Sequence, residues 1–268
     1  MLNPALRVER VGPGVTIQDL GRPGWMHHAV PPGGALCPPL HRRALASLGA
    51  PDAAATVELP LHGARFTALG DITVSIDGEL VSLRAGEALD VPPSRFAVRY
   101  LALPGGVESR VDLGSRGALA LAGLGSPPLR RGDVLYARDV LPSPRPAEPL
   151  DLDAPLSLCL GPNDFDAASV SALLSERFTL TPRFDRVGAR VEGPRLASPP
   201  AVTAPMVRGA LEVTPDGAIV ALGPDHPTTG GYPVIAVLTE AAQWSLALRR
   251  PGAPLCFTAA GAAAPRAG

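Results

Sequence analysis

Glycine or proline interrupts almost every apolar run in this chain, and the runs between interruptions alternate apolar with polar residues. Gly (29) and Pro (32) together exceed a fifth of the 268 residues. Hydrophobic residues still make up 46%, which is ample for a packed core. That combination predicts many short strands joined by tight turns rather than disorder. The clearest hairpin is ITVSIDGELVSL, where Ile72, Val74 and Ile76 alternate and Asp77-Gly78 makes a turn compatible with type I′ before Leu80 to Leu83 return. LEVTPDGAIVAL repeats the logic, with Leu211 and Val213 before Pro215-Asp216-Gly217 and Ile219 to Leu222 after it. LRAGEALDV, LRRGDVLYA and LRRPGAPLCF share an Arg, a turn glycine and a hydrophobic exit strand. This echo is compatible with internal duplication and equally with convergence.

Two helices are expected. Pro38 and Pro39 suit a helix start, Leu40, Ala44, Leu45 and Leu48 share a face, and Gly49 closes it. Asp164 is the expected cap of the second, with Phe165, Val170, Leu173 and Leu174 apolar and Asp166 in the first turn. The stretch 141–149, LPSPRPAEP, is the best linker, and the Ala/Gly-rich tail after Ala259 is expected to fray. The chain therefore reads as mainly β, with two β-rich domains over residues 1–148 and 149–268 and few short helices.

Composition excludes several functions. The formal net charge is −1, which removes the electrostatic case for nucleic acid or an anionic membrane surface. Aromatics are 4%, too few for a base-stacking platform. All 24 basic residues are Arg, so the chain offers no P-loop, Schiff-base or biotin-acceptor lysine. Cys37, Cys159 and Cys256 show no metal-ligand spacing, no metal site is expected, and Cys159 and Cys256 read as core fillers. MLNPALRVER has no hydrophobic leader segment and no apolar run approaches about 18 residues, so a cytoplasmic location is expected.

Polar groups gather in three islands: Gly12 to Gly24, Phe184 to Arg190, and Asp225 to Leu238. Their pairing with glycines suggests a shared cleft. In the first, Gln18, Asp19 and Arg22 can read a polar substrate, with Arg22 as a bidentate clamp, or they can pin a turn. In the second, Asp185 and Arg190 favour a structural reading, while Arg186 is a candidate catalytic residue. In the third, His226 is a candidate general acid or base, and Asp225 either orients it or works alone. Thr229, Gly230, Gly231 and Tyr232 follow, where paired glycines suggest an unusual backbone path with amides open to an anion. His27 and His28 are placed beside the same cleft; His41 and His62 read as ordinary surface residues.

GVTIQDLGRPG, PPGGAL, GPND, FDRVGARVEG and DHPTTGGYP, in this order and spacing, resemble the carboxyltransferase domain family. Members include the C component of 5-oxoprolinase, allophanate hydrolase subunit 2, the carboxyltransferase region of urea carboxylase and the antagonist of the sporulation-kinase inhibitor. The resemblance runs from Val11 to Phe257. It implies two cyclophilin-like β-barrel domains and, for stand-alone members, one component of the ATP-dependent 5-oxoprolinase that converts 5-oxo-L-proline to L-glutamate. The implied partners are the other two 5-oxoprolinase components, a cyclophilin-like protein of the B type and a protein of the A type. ATP is used by that complex, and no biotin is attached to this chain. The resemblance places Gln18, Asp19, Gly21 and Arg22 on the QDxGR motif, Asp185, Arg186, Gly188 and Arg190 on DRxGxR, and Asp225 with Thr229 to Tyr232 on the TTGGYP region. Three departures stand out. Cys37 replaces an expected Asp, Gly117-Ala118 replace hydroxyl residues, and Val234 replaces a frequent basic residue. The alternatives implied are a biotin-dependent carboxyltransferase acting on urea, and a non-catalytic binding protein that antagonises a cyclophilin-like partner.

Overall fold

The computed structural model describes residues 2–138, 144–146 and 155–261. The expected boundary at 148/149, most of the Pro-rich stretch and the end of the tail lie outside the described residues. The chain divides into two compact units, Met1–Pro23 with Pro32–Leu150, and Gly24–Pro31 with Asp151–Gly268. The described residues are mainly β, with three short helices. No helix among them is long and apolar enough to cross a membrane.

The first unit contains β1 (Leu2–Arg10), β2 (Thr16–Gln18), α1 (Pro38–Ser47), β3 (Thr56–Pro60), β4 (Ala64–Ala68), β5 (Ile72–Ile76), β6 (Glu79–Leu83), β7 (Ala88–Val91), β8 (Val98–Ala102) and β9 (Val134–Arg138). They form two antiparallel sheets, ordered β7-β4-β1-β9 and β2-β3-β8-β5-β6. Strand alternation drives one side of each sheet into a common core that includes Leu6, Val8, Val57, Leu59, Phe66 and Leu101. Pro4 cannot donate to the ladder, and the register of β1 against β9 shifts between Pro4 and Leu6. The expected β5–β6 hairpin is present, pairing Ile76 with Glu79 across Asp77 (φ 55°) and Gly78 (φ 102°). Two consecutive positive φ angles are what a type I′ turn requires.

The expected first helix is α1. Pro38 and Pro39 open it, where a missing N–H costs nothing, and Gly49 follows its end at φ 68°. Its inward face carries Leu40, Ala44 and Leu45, but also His41, which is fully buried. The surface reading of His41 is thus corrected. A position one residue after Leu40 and three before Ala44 falls on the helix side that meets the sheet.

The second unit contains β10 (Leu156–Leu160), α2 (Ala167–Ser175), β11 (Phe178–Phe184), β12 (Gly188–Glu192), β13 (Ala204–Pro205), β14 (Ala210–Val213), β15 (Ile219–Leu222), β16 (Thr229–Gly230), β17 (Val234–Leu238), α3 (Glu240–Leu248), β18 (Pro254–Leu255) and β19 (Phe257–Ala259). Eight strands form one sheet, β18-β11-β12-β15-β14-β17-β10-β19. Its two edge strands are separated in sequence by Cys256 alone. Neighbouring residues cannot lie more than a few ångströms apart, so the sheet must curl until its edges nearly meet. Phe178 and Phe257 stack edge-to-face inside, with centroids 5.5 Å apart. The expected β14–β15 hairpin pairs Val213 with Ile219 around Gly217 (φ 78°).

Three expectations need correction here. The cap of α2 is Asp166, whose carboxylate accepts from Ser169 N at 2.6 Å, and not Asp164. A third helix, α3, was not expected; Thr239 caps it by accepting from the Ala242 N–H, and Glu240 favours its first turn. Cys159 and Cys256 are exposed rather than core fillers, because each alternates with buried neighbours (Leu158, and Leu255 with Phe257) and so points outward.

Candidate functional site

In the first unit, the QDLGR segment leaves β2 and is fixed by distant backbone. Asp19 Oδ1 accepts from Gly21 N at 2.8 Å and from Ser115 Oγ at 2.7 Å, and its Oδ2 accepts from Arg116 N at 2.6 Å. Arg22 exposes 1% of its surface, and its Nη2 donates to the Gly117 carbonyl. Gln18 is fully buried, donating through Nε2 to Thr16 Oγ1 and the Ala118 carbonyl, both at 3.0 Å. A carbonyl only accepts, so the amide orientation is fixed and Oε1 must face the other way. Among the described residues Oε1 has no hydrogen-bond partner; a Cβ added to Gly117 would stand 2.9 Å from it and 3.0 Å from Asp19 Oδ1. Glycine therefore fits at 117 because the QD pair occupies the space a side chain would need. The hydrogen bonds named here for Gln18, Asp19 and Arg22 all run to other groups of this unit.

Two glycines explain the spacing to PPGGAL. A Cβ on Gly21 would meet the Pro32 carbonyl at 2.4 Å, and one on Gly34 would meet Leu20 at 2.8 Å. Both are at positive φ. The loops touch backbone to backbone, with Arg22 N donating to Pro32 O and Ala35 N to Asp19 O. Beneath them lies a buried network that the motifs do not announce. Glu58 Oε2 accepts from Leu36 N (2.8 Å) and from the Tyr100 hydroxyl (2.7 Å), and Cys37 N donates to that hydroxyl. Burial raises the Tyr100 phenol well above its ordinary value, so it remains a donor to Glu58. His41 Nδ1 pairs with Thr56 Oγ1 at 2.9 Å, and burial pushes its pKa down to about 4.

In the second unit, the FDRVG and DHP segments are locked together. Asp185 Oδ1 accepts from Val187 N and Gly188 N, closing its own turn. Arg186 donates through Nε and Nη2 to the two oxygens of Asp225, both at 2.9 Å, while its carbonyl accepts from Asp225 N. This is a bidentate fork with a backbone clasp, and Gly223 permits it: a Cβ there would sit 2.4 Å from the Arg186 carbonyl. Arg190 points away to Asp216 on the exposed hairpin turn.

His226 exposes 1% of its surface, and its Nδ1 lies 2.7 Å from the Pro227 carbonyl. Because the carbonyl only accepts, Nδ1 carries the proton and Nε2 the lone pair. Desolvation lowers the pKa of His226, outweighing the Pro227 hydrogen bond, with Arg208 adding to the depression and Asp225 opposing it. The ring is thus held neutral, with the basic nitrogen selected by the backbone.

Thr229 and Gly230 form β16, paired with β13, and Thr229, Gly231 and Tyr232 are exposed. Neither glycine is at positive φ, which corrects the expectation of an unusual backbone path. Gly230 is there for space. A Cβ on it would stand 2.6 Å from Glu212 Oε1, and Glu212 is a second buried carboxyl that sequence reasoning passed over. GPND is also structural: Asn163 Oδ1 accepts from Val234 N, and Gly161 lets the chain lie against the Val234 carbonyl. His27 and His28 stack at 4.0 Å in the short Gly24–Pro31 segment of this unit, and His62 is exposed. Among the described residues, no group of three or more His, Cys, Asp or Glu is arranged to hold a metal ion.

The structure thus gathers Gln18, Asp19 and Arg22 into one cluster of the first unit. It gathers Arg186, Asp225 and His226 into one cluster of the second. The second can do acid–base chemistry, since it holds a neutral imidazole beside a fully engaged ion pair.

Comparison with known proteins bears on that chemistry. The family model described as carboxyltransferase domain, subdomain A and B, matches residues 28–259. The C component of 5-oxoprolinase from Escherichia coli (strain K12) is 28% identical over 280 residues, covering 94% of this chain and 90% of that protein. Urea amidolyase of Lachancea kluyveri is 26% identical over 306 residues, covering 94% of this chain but only 17% of the relative's length. A crystal structure of TTHA0988 matches with a TM-score of 0.85 at 31% identity, over 95% of this chain and 56% of that one.

Proposed function

Because the chain belongs to the carboxyltransferase domain family of subdomains A and B, we propose that it is one component of an ATP-dependent 5-oxoprolinase. The reaction opens the lactam of 5-oxo-L-proline to L-glutamate. Amide resonance makes that ring resistant to water, and phosphorylation of the amide oxygen by ATP would remove the resistance. Water then adds to the activated carbon, the ring C–N bond breaks as the nitrogen leaves with a proton, and a second water cleaves the resulting acyl phosphate to L-glutamate and inorganic phosphate.

The observation that carries this reading is the fixed tautomer of His226 beside the Arg186–Asp225 fork. A neutral imidazole with an assigned basic nitrogen can take a proton from the attacking water and return one to the departing nitrogen. With 1% of its surface open, His226 acts on a group brought into direct contact rather than on bulk solvent. Asp225, spent on Arg186, serves to hold the loop that carries His226; it is a positioning residue. Arg186 in turn holds that carboxylate by both oxygens and so fixes its aim. Thr229 to Tyr232 supply the exposed edge where substrate would lie. With no lysine in the chain, arginine is the permanently charged side chain it offers to a phosphate. ATP binding by the assembly and partners of the A and B types are parts of the same proposal. So is a cytoplasmic location.

A carboxyltransferase acting on urea is the second reading, favoured by the urea amidolyase match over 94% of the chain. It requires a separate carrier for biotin. Of the two named relatives, the 5-oxoprolinase component is the one aligned over nearly its whole length, at 90%. Mixing the chain with the products of its neighbouring genes and following ADP release separates the readings. ADP formation that depends on 5-oxo-L-proline is expected; release unaffected by that substrate would sink the first reading.

A further inference from the structure

Pro39, Arg42, Arg43 and Ala46 of α1 fall at i, i+3, i+4 and i+7 and so share one face of the helix. Leu40, Ala44 and Leu45 are buried in the first unit, whereas Arg42 and Arg43 are exposed. Arg145 comes back across the end of this helix. Its N–H donates to the Ala46 carbonyl at 2.9 Å, and its Nη2 donates to the Ala50 carbonyl at 2.8 Å and to Asp52 Oδ1. A cavity of about 360 Å³ lies here, lined by Arg42, Arg43 and Arg145, with Asp52 and Leu20. All of these residues belong to the first unit.

Charge does not balance around this cavity. Its lining holds three guanidiniums and one carboxylate, Asp52, which is already paired with Arg145. Two positive charges are left over. Among the described residues no hydrogen bond or ion pair engages Arg42 or Arg43. Arg43 is nonetheless held in place. A Cβ on Gly78 would stand 2.9 Å from its Cγ and 3.0 Å from its Nε, so its stem lies across the β5–β6 turn where glycine leaves room. A stem packed in this way has less rotamer freedom to lose when its guanidinium takes a partner. The carboxylate of that turn, Asp77, accepts from Arg99 Nε and Tyr100 N and is already engaged.

We propose that this cavity is a binding site for a phosphate group, taken up as inorganic phosphate or on a small phosphomonoester. Near neutral pH a phosphate carries about −1.5 to −2, which matches the two unbalanced charges, whereas a carboxylate brings only one. Guanidinium forks donate parallel N–H bonds to its oxygens. The volume is at the small end for ligand cavities, and Leu20, Pro39, Ala46 and Pro146 supply apolar lining for a short carbon chain. Leu20 stands between Asp19 and Gly21, so a bound phosphomonoester lies against the loop that carries the Asp19–Arg22 cluster. Binding of this kind does not depend on the reaction proposed above.

Calorimetric titration of the full chain at fixed ionic strength, with phosphorus-31 line broadening as a second readout, tests this. Inorganic phosphate and glycerol 3-phosphate are expected to bind saturably, and acetate about tenfold more weakly or worse. Arg42→Gln and Arg43→Gln are each expected to weaken phosphate binding by about tenfold or more. Arg43→Lys keeps the charge but loses the fork, and is expected to fall between Arg43→Gln and the parent. Arg95→Gln removes the same charge from an exposed arginine elsewhere on this unit, stacked on Phe96, and is expected to stay within about twofold of the parent. Thermal midpoints verify that the variants remain folded, which the exposure of these side chains favours. Tighter binding of glycerol 3-phosphate than of inorganic phosphate assigns the organic source; equal or weaker binding assigns the inorganic ion. No saturable binding of either probe, acetate bound as tightly as phosphate, or a loss in Arg95→Gln equal to that in Arg42→Gln would each overturn the proposal.

Discussion

His41 illustrates how one buried side chain makes stability depend on pH. Its pKa is about 4 in the folded chain against an ordinary 6.5, because burial penalises the imidazolium. Between those values the unfolded chain binds a proton that the folded chain refuses. Stability is therefore full above pH 6.5 and falls as the pH drops towards 4, by on the order of 3 kcal/mol. His226, lowered by desolvation as well, acts in the same direction. Thermal midpoints across that range should fall more steeply in the parent than in His41→Gln; parallel slopes would refute the assignment. What the sequence could reveal at this scale was limited by distance along the chain. QDLGR advertised polar chemistry, but whether Asp19 and Arg22 meet substrate or backbone depends on Ser115, Arg116 and Gly117, nearly a hundred residues away. Glu58 and Glu212 were missed for a related reason. In strands they look like outward polar positions, and the PPGGAL loop and the β13–β16 ribbon that cover them come from elsewhere in sequence.

Among the elements, one turn recurs with the same geometry three times. Arg84, Arg130 and Arg250 each accept through their carbonyl from the N–H three residues on, at 3.0, 3.1 and 3.0 Å. Gly86, Gly132 and Gly252 occupy the third position at φ 82°, 93° and 87°, as a type II turn requires. Each glycine N–H donates to a neighbouring strand, to Ala68, Val8 and Leu180 respectively, and each of these residues donates back to the turn's last carbonyl. An added Cβ meets nothing within 4 Å at any of the three, so only the backbone angle resists substitution. Alanine at each is expected to cost about 1 kcal/mol by chemical denaturation. Gly125→Ala is expected to cost more, since at φ 71° its Cβ would also strike the Gly117 carbonyl at 2.4 Å. Equal losses at Gly125 and Gly86 would contradict this. The hairpins, the turns and α1 were legible because their signals are local: Asp-Gly pairs, a turn glycine, prolines at a helix start. α3 was not, because its Ala-rich sequence carries little amphipathic pattern, and its Thr239 cap resembles any threonine at a strand end.

For the molecule as a whole, the mainly β class followed from frequent turn residues set among alternating apolar runs. The near-closure of the eight-stranded sheet did not, since it depends on β18 and β19 joining opposite edges across one residue. The family resemblance brought out the motifs, and the structure shows that most of their glycines and carboxylates serve to clasp loops. What remains for chemistry is small: a neutral imidazole, a forked ion pair that positions it, and an exposed TTGGY edge with a carboxyl beneath. Substituting His226 by Asn tests this most directly, because the Asn amide can still donate to the Pro227 carbonyl while Nε2 is lost. In the reconstituted assembly, 5-oxo-L-proline-dependent ADP release is expected to fall by about a hundredfold or more with the thermal midpoint little changed. Turnover within about twofold of the parent would contradict a role for His226 in moving the proton.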